Sequence, residues 1–289
     1  MRHLKPFLFT IIAIVGFSCS SKNDFTLWQL PSQINTIGNS YVFLTDNGKV
    51  VVMDGGVKEE ALYLRGFLAA LGNEIEAWFV SHPHFDHVGA LTEILRSPQG
   101  ISIKKIYYSE FSPSYLDTEP MYSEAAYLFY DHLKSSGIPL VNIQDPGQEI
   151  NIDGVLFKIL TVTNETIKNN TYNNSSMAIK VTGKSKTILF LADLGIEAGD
   201  LLLKSPYRDD LDCDYLQVSH HGQKGVSKDF YRTIKFNACL WPTPSWVYNN
   251  DIGKGFNTHE FETVEIRELM EELGIKKHYV SCEGLHKIR

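Results

Sequence analysis

Short apolar runs alternate with polar turns along most of the chain, and they predict a strand-rich fold interrupted by helices. Phe25 to Leu30 reads as a first strand. Tyr41-Val42-Phe43-Leu44 and Val50-Val51-Val52-Met53-Asp54 flank Asp46-Asn47-Gly48, a strong hairpin signal. Lys58 to Leu71 has helical spacing and is stopped by Gly72-Asn73. Ala77-Trp78-Phe79-Val80 is a short buried strand, and Ala90 to Leu95 returns to helical spacing.

The second half repeats the theme. Ile101 to Tyr108 predicts a strand, and Glu119 to Ser136 a helix ending at Gly137. After Val141-Asn142-Ile143, Glu149 to Ile152 and Val155 to Val162 flank Asp153-Gly154 as a second hairpin. Strands follow at Met177 to Val181, Thr187 to Leu191, Asp214 to Val218 and Ala238 to Trp241. Helices are expected at Ala198 to Leu203 and at Glu262 to Leu273 before Gly274. Lys277 to Arg289 reads as a closing hairpin turning at Glu283-Gly284. Strands and helices in this order suit sheets covered by helices, an α/β (α+β) class.

Between the strand at Ala77 to Val80 and the helix at Ala90 lies Ser81-His82-Pro83-His84-Phe85-Asp86-His87-Val88-Gly89. Four metal-ligand types fall within six residues, on a loop expected at the carboxyl end of a strand. His82 and His84 alternate, so an extended backbone points both the same way. Asp86 and His87 are adjacent and reach a common centre only if the chain turns sharply. Neutral imidazole and carboxylate suit zinc, manganese or iron(II).

The string His-X-His-X-Asp-His after a hydrophobic strand resembles the signature of the metallo-β-lactamase-fold hydrolases, complete here as His82, His84, Asp86 and His87. The resemblance implies a four-layer αββα sandwich and two divalent metal ions, zinc first, with manganese or iron as alternatives. It implies that Asp193, at a strand end before Leu194-Gly195, bridges them. It implies that Asp54 supports the metal loop; read alone, Asp54 is equally a helix N-cap. Most of the resembled enzymes carry a further His near residue 173, but this chain has none between His132 and His220. Asn173-Asn174-Ser175-Ser176 stands there instead, and Ser219-His220-His221-Gly222 follows the strand Asp214 to Val218. Both features are similar to the subgroup that includes the hydrolase domain of the DNA-uptake protein ComEC.

On that resemblance the metal ligands are His82, His84, Asp86, His87, Asp193 and His220. His220 is preferred over His221 because it lies nearer the strand end. Asp86, His221 and His259 are the candidate catalytic residues, with His259 equally readable as a cap-region residue before a helix. One metal site is expected to be weaker, or completed by water or an amide oxygen. The implied activity is hydrolysis by a metal-bound hydroxide, most readily of a phosphodiester in nucleic acid or an envelope polymer. A β-lactam or lactone hydrolase is the alternative enzyme, and a non-catalytic metal-containing binding lipoprotein the alternative class. The tyrosines at 107, 108, 115, 122, 127 and 130 are core residues first and an aromatic substrate wall second. His132, His278 and His286 have no evident partner in the sequence.

Composition adds limits. The 289 residues are 43% hydrophobic, ample for one large core, with no repeat. The net charge is −7. It is near −9 beyond residue 18, because the first 18 residues carry Arg2 and Lys5 and no acid. That argues against a broad nucleic-acid footprint and leaves room only for a local basic groove. A small or polymeric anionic substrate fits better. Residues 1–18 read as a signal peptide: a basic start, an apolar run from Phe7 to Phe17, and small residues before Cys19. Cys19 then resembles the lipid-carrying residue of a bacterial lipoprotein, with 19–24 a tether and 25–289 the hydrolase domain. The protein is therefore expected to be exported and lipid-anchored to a cell-envelope membrane. Three cysteines remain, which argues against a disulfide framework, and Cys239 and Cys282 are expected to be buried thiols.

Overall fold

The computed structural model describes residues 23–289, so the signal segment and Cys19 lie outside the described residues. In chain order the elements are β1 (Phe25–Gln29), β2 (Ser40–Thr45), β3 (Val50–Asp54), α1 (Ala61–Ala70), β4 (Glu74–Phe79) and α2 (Phe85–Arg96). Then come β5 (Ser102–Ile103), β6 (Ile106–Tyr108), α3 (Pro113–Leu116), α4 (Pro120–Ser135) and β7 (Leu140–Asn142). The second half holds β8 (Glu149–Ile152), β9 (Val155–Ile159), α5 (Thr171–Asn174), β10 (Ile179–Thr182), β11 (Thr187–Phe190) and α6 (Ile196–Leu203). It ends with β12 (Tyr215–Gln217), α7 (Lys228–Thr233), β13 (Ala238–Trp241), α8 (Ser245–Tyr248), α9 (Thr263–Glu272), β14 (Lys277–Val280) and β15 (His286–Ile288).

The strands form two sheets, ordered β15-β1-β2-β3-β4-β6-β7 and β14-β13-β12-β11-β10-β9-β8, with β5 beside β4. Each sheet joins an antiparallel part to a parallel part: β3, β4, β6 and β7 run parallel in one, and β11 to β14 in the other.

Residue alternation explains the stacking. Val50 and Val52 of β3 pack with Trp78 and the apolar stripes of α1, α2 and α4. Val51 and Met53, one residue out of phase, join Phe79, Phe157, Val181 and Phe190 between the sheets. Leu189, Leu216 and Trp241 pack outward against α6, α7 and α9. Three apolar layers thus separate helix, sheet, sheet and helix, which is the four-layer αββα sandwich. A strand buried on both faces reads as a continuous apolar run, as Val50–Met53 does.

Three expectations change. Lys277 to Arg289 is not a hairpin: β14 pairs with β13, whereas β15 crosses to the other sheet and pairs with β1. Local sequence shows the turn but not which sheet each arm joins. Ile101 to Tyr108 splits into two short strands, both beside β4. Cys282 is exposed, while Cys213 and Cys239 are buried free thiols. No helix among the described residues is long and apolar enough to cross a membrane.

The start of α2 is docked backbone to backbone. Ala90 N–H donates to Gly56 O at 3.0 Å, and Asn39 N–H to Asp86 O at 3.1 Å. A Cβ on Gly89 would sit 2.5 Å from Lys58 N and 2.8 Å from Val57 C. Gly89→Ala is therefore expected to lower stability by about 1–3 kcal/mol. Gly66→Ala, at an exposed position of α1 where an added Cβ meets nothing within 4 Å, is expected to raise it by about 0.5–1 kcal/mol. Denaturant melts of both variants check this; equal effects of the same sign would contradict the close docking of α2.

Candidate metal centre

The side chains singled out by sequence come from strand ends that meet on one edge of the sandwich. β3 ends in Asp54, and β4 leads through Val80-Ser81 to His82. His84 caps α2 in an extended conformation (φ −70°, ψ 146°). Asp86 and His87 therefore sit in the first turn of α2, not on a loop, and the helix start supplies the sharp turn they require. Asp193 follows β11 after Ala192, and His220 and His221 follow β12. Ala192, His220 and His221 hold φ values of 47°, 50° and 54°, unusual for residues with a Cβ. His220 N–H donates to Ala192 O at 2.9 Å, and Thr243 Oγ1 donates to His221 O at 2.7 Å. These bonds hold the left-handed turn that directs the two rings apart.

Asp193 Oδ2 is the common point. It lies 3.2 Å from His87 Nε2, 3.3 Å from His221 Nε2, 3.9 Å from His220 Nε2 and 4.0 Å from His82 Nε2. Asp86 Oδ2 lies 3.0 Å from His221 Nε2 and 3.7 Å from His87 Nε2. Two donor sets result, each within 4.8 Å: Asp86, His87, Asp193 and His221; and His82, His84 and Asp193, all buried.

The hydrogen bonds behind each ring set which nitrogen faces inward. Pro242 O can only accept, so His221 Nδ1 donates to it at 2.7 Å. His87 Nδ1 donates to Asp54 Oδ2 at 2.8 Å. Ser81 Oγ gives its proton to Asp54 Oδ2 at 2.8 Å, so its oxygen accepts from His82 Nδ1 at 3.1 Å. The inward nitrogens are then the ones free to take a second proton or a metal ion. His87 Nε2, His221 Nε2 and Asp193 Oδ1 are buried with no hydrogen-bond partner, and His82 Nε2 faces His84 Nδ1 at 3.0 Å. Without those protons, lone-pair atoms this close repel one another unless a metal cation lies among them. The residues present therefore fit a bound divalent metal pair, and outward nitrogens held by acceptors are the usual support for metal-binding imidazoles.

Protonation follows the same logic. Burial pulls His87 down, but Asp193, Asp54 and Asp86 carry it well above the ordinary imidazole value. Burial likewise opposes charge on His221, and Asp193 and Asp86 outweigh it, lifting it to about 10. Burial pushes Asp193 up, but His221 and His87 hold it well below the usual carboxylate range. Burial, then His87 and His84, hold His82 far below its ordinary value, so that ring is neutral.

His82, His84, Asp86, His87 and Asp193 thus converge. Of the paired histidines, His221 and not the expected His220 completes a donor set, because the left-handed turn carries the second ring inward. His220 stays 21% exposed, its Nδ1 donating to Lys224 O at 3.2 Å and its Nε2 3.4 Å from Asn173 Nδ2. His259 belongs to neither donor set; its ring lies edge-on to Phe261 with centroids 4.3 Å apart. Of the six tyrosines named from sequence, Tyr122 packs on His84 at 4.5 Å. Sequence reading missed Ser81, Ser176, Tyr172 and Glu119, which touch His82 or His84. Their residue types carry no signal outside the fold.

A family model described as the Metallo-beta-lactamase superfamily matches residues 35–235. No curated protein matches the chain. Among solved structures, the metallo-beta-lactamase fold protein YhfI from Bacillus subtilis is similar at 13% identity and a TM-score of 0.54, covering 92% of this chain and 100% of that one. A CmlA beta-hydroxylase mutant is similar at 10% identity and a TM-score of 0.56, covering 92% of this chain and 54% of that one.

In metal-stripped protein at pH 7, His87 and His221 hold protons that a metal must displace. Zinc binding is therefore expected to release on the order of two protons. Because His221 is lifted from 6.5 to about 10, protons compete until that pH, and apparent zinc affinity rises as pH increases across this window. Calorimetry in buffers of differing ionisation enthalpy measures both; no proton release and a flat pH dependence would contradict the assignment.

Proposed function

The chain belongs to the Metallo-beta-lactamase superfamily, and on that premise we propose that it is a two-metal hydrolase of an anionic phosphodiester. One observation carries the reading: two sets of metal-ligand types share a single carboxylate, Asp193. Bound there, divalent cations would supply Lewis acidity and lower the pKa of a water to about 7.

The protein's own groups define the rest. Asp86, His87 and His221 hold one side of Asp193, and His82 and His84 the other. Two dications would bring four positive charges to a site whose carboxylates are Asp86 and Asp193 and, behind the rings of His87 and His84, Asp54 and Glu119. Cations held there would clamp the charged oxygens of an anionic ester more strongly than the oxygen of an uncharged lactam or lactone ring. His220 lies outside both donor sets and is partly exposed beside Asp193, which supports a role for it in contacting the substrate oxygens or leaving group. Asn173 stands against it, with Nδ2 also donating to Asn170 Oδ1 at 2.9 Å and Oδ1 buried and unpartnered. The protein's own acidity disfavours extended nucleic acid and points to a smaller or envelope-borne phosphodiester. We also propose export and lipid attachment at Cys19, to be checked by the mass of the mature protein.

His84→Ala and Asp86→Ala are each expected to lower turnover by more than the roughly 10–100-fold typical of supporting residues, with the fold retained. A screen of phosphodiesters, β-lactams and lactones with added zinc or manganese identifies the bond. Cleavage of a lactam or lactone alone would overturn the substrate class. Stoichiometric metal binding with no hydrolysis would overturn the enzymatic reading in favour of a binding protein.

A further inference from the structure

Each imidazole of the two donor sets has an acceptor behind it. For His82, His87 and His221 that acceptor comes from residues beside the strand ends: Ser81, Asp54 and Pro242 O. His84 differs. Its Nε2 lies 3.4 Å from Oε2 of Glu119, a residue just before α4 and 35 positions along the chain. The ring is stacked on Tyr172 at 5.0 Å and meets the edge of Tyr122 at 4.5 Å, so it cannot turn without displacing an aromatic group.

Glu119 has a second set of partners. Its Oε1 accepts from Thr171 Oγ1 at 2.8 Å and from Tyr172 N–H at 3.0 Å. Those residues open α5, the short helix that carries Asn173 toward His220. One carboxylate therefore joins a metal-facing ring of the first half to the segment of the second half that stands where a further His was expected. With a three-donor set and no such His, the orientation of His84 matters more than in a fully ligated site.

We propose that Glu119 is a positioning residue of the metal centre. Its Oε2 takes the Nε2–H of His84, so that His84 presents a bare Nδ1 to the His82/Asp193 side, and its Oε1 locks that ring to the Thr171–Asn174 segment. The proposal rests on the metal-centre reading above, not on the identity of the substrate. Ionised glutamate offers only acceptors. Glutamine keeps the shape and can still accept from Thr171 and Tyr172, but it turns an N–H toward His84 Nε2. That meeting of donors favours the other tautomer, with its proton on the atom that must be free.

The experiment is a zinc titration of the full protein against a chelating indicator, for wild type, Glu119→Gln and Thr171→Val, with histidine nitrogens read by long-range ¹H–¹⁵N spectra in zinc-loaded wild type. Wild type is expected to take two ions, with His84 protonated at Nε2. Glu119→Gln is expected to weaken one ion by about 10–100-fold and leave the other unchanged. Thr171→Val removes a bond to the same carboxylate but not the acceptor behind His84, and is expected to keep both ions near wild-type affinity. A purely structural role predicts that the two variants behave alike, and that result overturns the proposal. So does a wild-type His84 protonated at Nδ1, a reading that needs no variant to fold. Wild type binding no zinc would instead overturn the metal-centre reading on which the proposal rests.

Discussion

The structure depends on Asp193 Oδ2, a single buried carboxylate oxygen ringed by imidazole nitrogens at 3.2 to 4.0 Å. Several ionisable groups are withdrawn from water around it, an arrangement that is strongly unfavourable without compensating charge. Protons on His87 and His221 compensate in part, and a metal pair does so more fully. The rest of the site orients groups toward that oxygen.

The scaffold accomplishes this with strand ends and strained turns. Asp54, Ala192, His220 and His221 all have positive φ, and all lie at the exits of strands around the cluster. Backbone conformations of this kind persist where surrounding bonds over-determine them, and they concentrate at functional sites. Asp54 shows the economy of the arrangement. Its carboxylate accepts from Asn39, from Ser81 twice and from His87, so one side chain fixes both the strand exit and an imidazole. Close backbone docking of Gly89 holds the helix that carries Asp86 and His87.

The class of fold was legible because β strands such as Val50–Met53 and the Asn47-Gly48 turn announce themselves locally. The core of the metal cluster was legible because His82, His84, Asp86 and His87 are packed into six residues. What sequence could not show was long-range pairing. The closing strands look like one hairpin, yet they serve two sheets. His220 and His221 are chemically identical, and only the left-handed turn decides which faces Asp86. His259 precedes a helix as expected, but the loop before it keeps the ring against Phe261. Glu119 sits in an unremarkable Thr-Glu-Pro turn, and its partners lie 35 and 52 to 53 residues away.

The most direct test of the central claim is anomalous diffraction at the zinc edge from crystals grown with zinc. The account predicts two peaks about 3.5–4 Å apart, one among Asp86, His87 and His221 and one beside His82 and His84, with Asp193 between them. Absence of density there, or zinc bound only at surface histidines such as His132 or His259, would contradict it.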